Sequence, residues 1–357
     1  MGNSLSAENP IRVLIADDSF FMRYFLRHIL AEGGFEVVGE AKDGREAVEL
    51  ADHLKPEVII MDYHMPHLTG AEAARAILAA LSPAPAIIML SAYTHEGAEE
   101  VLECLRAGAV DFLHKPSGEL SLTIDTVSDE LFKKIRTAAR AQIQVYAKPS
   151  TRDRKKIRTI STGVPQWLIL IGASTGGPPV VEQIVAHLHA DMDAAILIVQ
   201  HMPPIFTKRF AARIAEMTAF AVQEAAGDDL VATGTVFVAP GDYHMTLLND
   251  DGRYVLKLNQ EPPRGGLRPS IDVLFESVAR AWDGNLIAVE LTGMGNDGSH
   301  AMRSLKDNGA IVLVQSLETS VIASMPESII SQNLADAILT PDEIAAKINM
   351  LTQKTPL

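Results

Sequence analysis

Trp167-Leu168-Ile169-Leu170-Ile171-Gly172-Ala173-Ser174-Thr175-Gly176-Gly177-Pro178 is an apolar run that breaks into a glycine-rich turn. A helical pattern follows at 178–188. Gly-x-Ser-x-Gly at a strand-to-helix junction is the pattern of a nucleophile elbow. Its glycines permit a strained turn and a close helix approach. The turn sets the serine hydroxyl at a helix N-terminus, where backbone N–H groups favour a developing oxyanion. A turn of this kind can also cradle a dinucleotide, but Gly-x-Gly-x-x-Gly is absent and no acidic residue ends the next strand.

That next strand, 195–199, runs into Gln200-His201-Met202-Pro203. A histidine at the carboxyl end of a strand, one strand after the serine, is placed to act as a base. A later strand, 286–291, leads into Thr292-Gly293-Met294-Gly295-Asn296-Asp297-Gly298, which supplies an acid to orient the imidazole. His187, His189, His244 and His300 fall in predicted helices or loops and suit surface roles. The remaining pattern is a helix at 205–217, short β segments at 236–258, helices at 271–282 and 299–308, and a strand at 310–314. The chain order Ser, His, Asp differs from the Ser, Asp, His order of the common α/β-hydrolases.

Towards the N-terminus the alternation repeats, with strands expected at 11–16, 35–40, 58–61, 86–90 and 111–113 and helices between them. Such alternation implies a parallel sheet with helices on both faces and a site at the carboxyl ends of the strands. Asp17 and Asp18 end the first strand, Asp62 the third and Ser91 the fourth, and Lys115 follows the fifth. Three carboxylates at one edge repel unless a hard dication joins them, and Mg²⁺ suits oxygen ligands with a phosphate. Aspartate is an established phosphoryl-accepting nucleophile.

The chain has 357 residues, enough for two domains, and 47% are hydrophobic against 21% charged. A net charge of −14 argues against nucleic acid as a partner. Cys104, the single cysteine, suits a reducing cytosol and reads as a small core residue. No run is long enough to span a membrane, and the start lacks a signal-peptide pattern. Met1-Gly2-Asn3-Ser4-Leu5-Ser6 fits a loose myristoylation pattern but reads as a polar leader. Residues 131–147 read as a helix, and 148–164, with Arg152, Arg154, Lys155, Lys156 and Arg158, as a solvated linker.

Residues 11–125, including Arg106-Ala107-Gly108-Ala109-Val110-Asp111-Phe112-Leu113-His114-Lys115-Pro116, resemble a response-regulator receiver domain. The resemblance makes Asp62 the phosphoacceptor and Asp17, Asp18 and Asp62 the Mg²⁺ carboxylates. It makes Ser91 and Lys115 the phosphate-sensing pair and Phe112 the aromatic switch, with His64 at a variable position beside the phosphoryl group. Residues 166 to about 350 resemble the catalytic domain of the chemotaxis protein-glutamate methylesterases. The likeness rests on Gly172 to Pro178, Gln200 to Pro204, Ala239-Pro240-Gly241-Asp242 with His244-Met245, Arg268-Pro269-Ser270, Leu291 to Gly298 and Met325-Pro326. It implies Ser174 as nucleophile, His201 as general base, Asp297 as its orienter, and backbone N–H groups near Thr175 and Met294 as oxyanion donors. Glu290 and Ser316-Leu317 depart from the family pattern, the first where the strand is normally apolar, the second where an acidic stretch is usual.

The expectation is therefore two doubly wound parallel-sheet α/β domains: a flavodoxin-like receiver and a Rossmann-like, three-layer esterase domain with a short β excursion. The expected bounds are a leader at 1–10, the receiver at 11–125, a helical and basic linker at 126–165 and the catalytic domain at 166–355. The resemblance implies a cytoplasmic, phosphorylation-activated esterase without a cofactor in its catalytic half. Its substrate would be glutamate methyl esters on methyl-accepting chemotaxis receptors, with receptor glutamine deamidation as a side activity. A chemotaxis histidine kinase would supply the phosphoryl group. Competing readings are a DNA-directed regulator, for which no helix-turn-helix candidate follows the receiver, and a serine peptidase using the same triad.

Overall fold

The computed structural model describes residues 9–91, 94–115, 124–144 and 163–353. The start of the leader and the basic run 152–158 lie outside the described residues. The chain divides into two compact units, one built on a five-stranded and the other on a seven-stranded parallel sheet.

In the first, β1 (Arg12–Ala16), α1 (Phe20–Glu32), β2 (Glu36–Ala41), α2 (Gly44–Leu54), β3 (Val58–Asp62), α3 (Gly70–Ala80), β4 (Ala86–Ser91), α4 (His95–Arg106), β5 (Asp111–His114) and α5 (Ile124–Ala138) follow one another. The strand order is β2-β1-β3-β4-β5, all parallel. Every residue of β3 and β4 is buried, as expected of strands covered on both faces. The helix starts are set by side chains: Ser19 caps α1, Asp43 caps α2, and Thr69 with Glu72 forms a capping box on α3. Cys104 is buried on α4. The sequence places α5 in the linker. In the structure it packs against β4 and β5, with Leu131, Ile135 and Ala138 buried, and Arg136 reaches the Gly33 carbonyl at the end of α1.

The second unit begins with β6 (Trp167–Ala173), α6 (Gly177–His187), β7 (Ala194–Gln200), α7 (Phe206–Ala215), β8 (Ala221–Glu224) and β9 (Thr235–Val238). The hairpin β10 (His244–Asp250) and β11 (Arg253–Asn259) is the β excursion, paired antiparallel and packed against α8 (Ile271–Ala281). Then come β12 (Asn285–Glu290), α9 (Ser299–Asp307), β13 (Ile311–Gln315), α10 (Ser324–Ile330), β14 (Ala337–Leu339) and α11 (Pro341–Leu351). The order β14-β13-β12-β6-β7-β9-β8 puts β6 at the centre: the chain first fills one side, with β9 inserted between β7 and the edge strand β8, and then winds outward on the other through β12, β13 and β14. The crevice outside the carboxyl ends of strands at such a reversal is where open α/β sheets place their sites. Leu168, Leu170 and Leu197 of the sheet, Leu247 and Leu256 of the hairpin, and Leu274, Phe275 and Val278 of α8 share one buried core.

Candidate active site and phosphoacceptor site

In the second unit three strand ends come together. Ser174 follows β6 and His201 follows β7. The two strands pair through Ala173 and Gln200, and the His201 N–H donates to the Ala173 carbonyl at 3.1 Å. Asp297 lies in the loop after β12, which pairs with β6 on its other side. The Ser174 N–H donates to the Thr292 carbonyl (3.0 Å), so the Ser174 turn is tied to that loop. The approach is close: a Cβ on Gly293 would stand 2.1 Å from Met325 Sδ and 2.7 Å from Ser174 Cβ, which leaves room only for glycine. Thr292 Oγ1 donates to the Thr175 carbonyl at 3.0 Å and accepts from the Ile322 N–H at 3.0 Å. On the opposite side Gln200 Nε2 donates to the Ser174 carbonyl at 2.8 Å, and Gly177 is the residue that lets the Gln200 amide in.

His201 Nε2 meets Asp297 Oδ2 at 2.9 Å, and both side chains are more than nine-tenths buried. Burial by itself would raise the Asp297 carboxyl. The hydrogen bond and charge of His201, with the amides of Ile271 and Asp272, outweigh it and hold the group below its ordinary value. An ionised Asp297 accepts from Nε2, which therefore carries the ring proton. Nδ1 is buried and without a hydrogen-bond partner among the described residues, and in the neutral ring it is the nitrogen that keeps its lone pair.

Several polar groups here escaped the sequence reading. Ser270 Oγ donates to Asp297 Oδ1 at 2.8 Å. Asp272 accepts from the Ala301 N–H at 2.9 Å at the start of α9. His244, expected on the surface, is buried on β10 because α8 packs over that strand. Its Nδ1 accepts from the Ser270 N–H at 3.3 Å. The signal that pointed here was Arg268-Pro269-Ser270, which carries part of the family resemblance but says nothing of what its serine touches. Glu290 is completely buried with neither oxygen hydrogen-bonded among the described residues. Burial, with the charges of Asp297 and Asp272, pushes its carboxyl well above the usual range and so favours the neutral acid. Ser316-Leu317 opens a short turn after β13, beside Gln315, whose Oε1 accepts from the Thr292 N–H at 2.8 Å.

In the other unit Asp17, Asp18 and Asp62 each place one carboxylate oxygen within 4.8 Å of the others. Lys115 Nζ lies 2.8 Å from Asp62 Oδ2 and 3.0 Å from Asp17 Oδ2. Burial pulls the ammonium down, but its bonds to the two carboxylates prevail and raise it. Burial raises Asp62, and the Lys115 contact only partly offsets it. Ser91 is buried at the end of β4, where its carbonyl accepts from the Lys115 N–H. Phe112 is buried on β5, with Lys134 Nζ 5.1 Å from its ring centre, and His64 stands exposed with its ring edge-on to Tyr63. An all-oxygen donor set of this size fits a hard dication.

Comparison with known proteins agrees with this layout. The family model for CheB methylesterase matches residues 169–348 and that for the response regulator receiver domain residues 13–125. The chain belongs to the CheB methylesterase family. The protein-glutamate methylesterase/protein-glutamine glutaminase of Symbiobacterium thermophilum is 41% identical, over 96% of this chain and 97% of that protein. Its Thermotoga maritima counterpart is 40% identical, over 96% and 98%. The crystal structure of the Thermotoga maritima CheB methylesterase catalytic domain covers 52% of this chain and 97% of its own, at a TM-score of 0.50 and 36% identity. Both sheets of this methylesterase-family chain are thus of the expected parallel α/β class.

Proposed function

We propose that the chain is a protein-glutamate methylesterase with glutaminase activity whose receiver controls hydrolysis. The observation that carries this is the Ser174–His201–Asp297 convergence at the switch point of the seven-stranded sheet. His201 Nδ1, with its free lone pair, takes the Ser174 proton as Oγ attacks the ester carbonyl. Asp297, held ionised, stabilises the resulting imidazolium. The amides of Thr175 and Met294 are the proposed oxyanion donors: the first follows the nucleophile, and the second lies in the loop packed on it. On collapse the ester C–O bond breaks and the His201 proton passes to the leaving methoxide oxygen, releasing methanol, and water then cleaves the acyl-enzyme by the same route. A side-chain amide can follow this path with ammonia leaving, which accounts for glutaminase activity.

In the receiver, Asp62 is the proposed phosphoryl acceptor, Lys115 and Ser91 hold the phosphoryl oxygens, and Phe112 responds to their movement. Asp17, Asp18 and Asp62 would hold Mg²⁺, which when bound neutralises charge on the transferring group. The proposed partners are methyl-accepting receptors as substrates and a chemotaxis histidine kinase as phosphodonor. We place the protein in the cytoplasm. In support, no helix among the described residues is long and apolar enough to cross a membrane, and the one cysteine is buried. Replacing Ser174 by alanine should abolish methanol release from methylated receptor, a loss of several orders of magnitude, with folding unchanged. Release near the wild-type rate would remove Ser174 from the mechanism.

A further inference from the structure

We infer that Ser270 is a positioning residue of the esterase: its hydroxyl, with the first amides of α8, locks the Asp297 carboxylate in the orientation that faces His201. The inference rests on reading Asp297 as the acid of the triad. Among the described residues four donors reach this carboxylate, two to each oxygen. Oδ1 accepts from Ser270 Oγ at 2.8 Å and from the Asp272 N–H at 3.1 Å. Oδ2 accepts from His201 Nε2 at 2.9 Å and from the Ile271 N–H at 2.6 Å. Asp297 thus sits on the N-terminus of α8, where the amides and the helix dipole both favour an anion.

Of the three donors that oppose His201, two are backbone amides, and Ser270 alone is a side chain. It is itself held. The residue is completely buried, its N–H donates to His244 Nδ1 (3.3 Å), and its Oγ accepts from the Val273 N–H (3.4 Å) as the helix cap. Because His244 Nδ1 accepts, its proton lies on Nε2, 3.3 Å from the Pro262 carbonyl, which fixes the ring. The hydroxyl's lone pairs face the helix, and its proton is left for Asp297. Without that proton Oδ1 keeps only the longer amide bond, so the carboxylate can pivot and the imidazole loses its aim. Hydrogen bonds to charged groups are among the stronger ones, and misalignment of a triad base is felt in the chemical step.

The test uses the full-length protein with methyl-esterified receptor as substrate. Ser270→Gly keeps a residue tolerated at a helix cap but deletes the hydroxyl. It should lower kcat about 10- to 100-fold with KM and the thermal midpoint near wild type. Ser270→Thr should recover most of the rate, and the downfield proton signal of His201 Nε2–H should move upfield in the glycine variant only. Wild-type kcat for Ser270→Gly, alongside an inactive Asp297→Ala, would overturn the role of Ser270 and leave the triad standing. A fully active Asp297→Ala would overturn both. Should the glycine variant not fold, Ser270→Ala takes its place against Ser270→Thr, and equal kcat in those two would likewise overturn the role.

Discussion

Glu290 is the residue whose chemistry is hardest to reconcile with its surroundings: a carboxyl in a sealed strand, beside two other acids and without a hydrogen bond among the described residues. The consequence is a pH dependence with a definite sign. In the unfolded chain the group ionises near its ordinary 4.5, whereas in the folded chain it stays protonated well above that. Above about pH 4.5 the unfolded state therefore binds fewer protons, and stability falls as pH rises, by up to about 1.4 kcal/mol per pH unit, until folded Glu290 itself titrates. Glu290→Gln removes this penalty. Its melting midpoint, compared with wild type across pH 4 to 8, should gain steadily as pH rises. Parallel curves for the two proteins would mean that Glu290 is ionised or paired in the fold. The sequence marks Glu290 as out of place on an apolar strand but is silent on its protonation, which depends on Asp297 and Asp272 arriving from two other segments.

At the scale of elements, α8 and α9 hold each other through acids placed crosswise. Asp297, before α9, receives the first amides of α8, and Asp272, on α8, receives the Ala301 amide of α9. Asp272→Ala should destabilise the catalytic unit by about 1–3 kcal/mol in urea unfolding, since it strands a buried N–H. Asp272→Asn, which keeps an acceptor, should cost less; equal losses would show that the capping bond contributes nothing. Strand 195–199 was legible as an unbroken apolar run and 286–291 as one interrupted by Glu290 alone; Ser174 and His201 were picked out because each follows such a strand, and Asp297 because it stands in the loop after one. Ser270 and His244 were not. Their link to Asp297 arises only when the β10–β11 hairpin and α8 fold back over the sheet, a contact with no local periodicity. The helix α5 was misplaced because its charges suit a linker, while Leu131 and Ile135, which anchor it, show their burial only against the sheet.

At the scale of the whole chain, the proposed phosphoacceptor site and the proposed serine triad stand at the carboxyl edges of two separate parallel sheets. The proposed phosphorylation of Asp62 would add nearly two negative charges beside Lys115 and Ser91, a perturbation large enough to rearrange the receiver around Phe112. A receiver on the same polypeptide as a hydrolase has a use if its state changes hydrolysis, and that coupling is the central claim. The most direct test is methanol release by the full-length protein from methyl-esterified receptor, before and after addition of a small phosphodonor with Mg²⁺. The account predicts a clear rise for wild type, none for Asp62→Ala, and no release at all from Ser174→Ala. An equal response in wild type and Asp62→Ala, or no response in either, would contradict it.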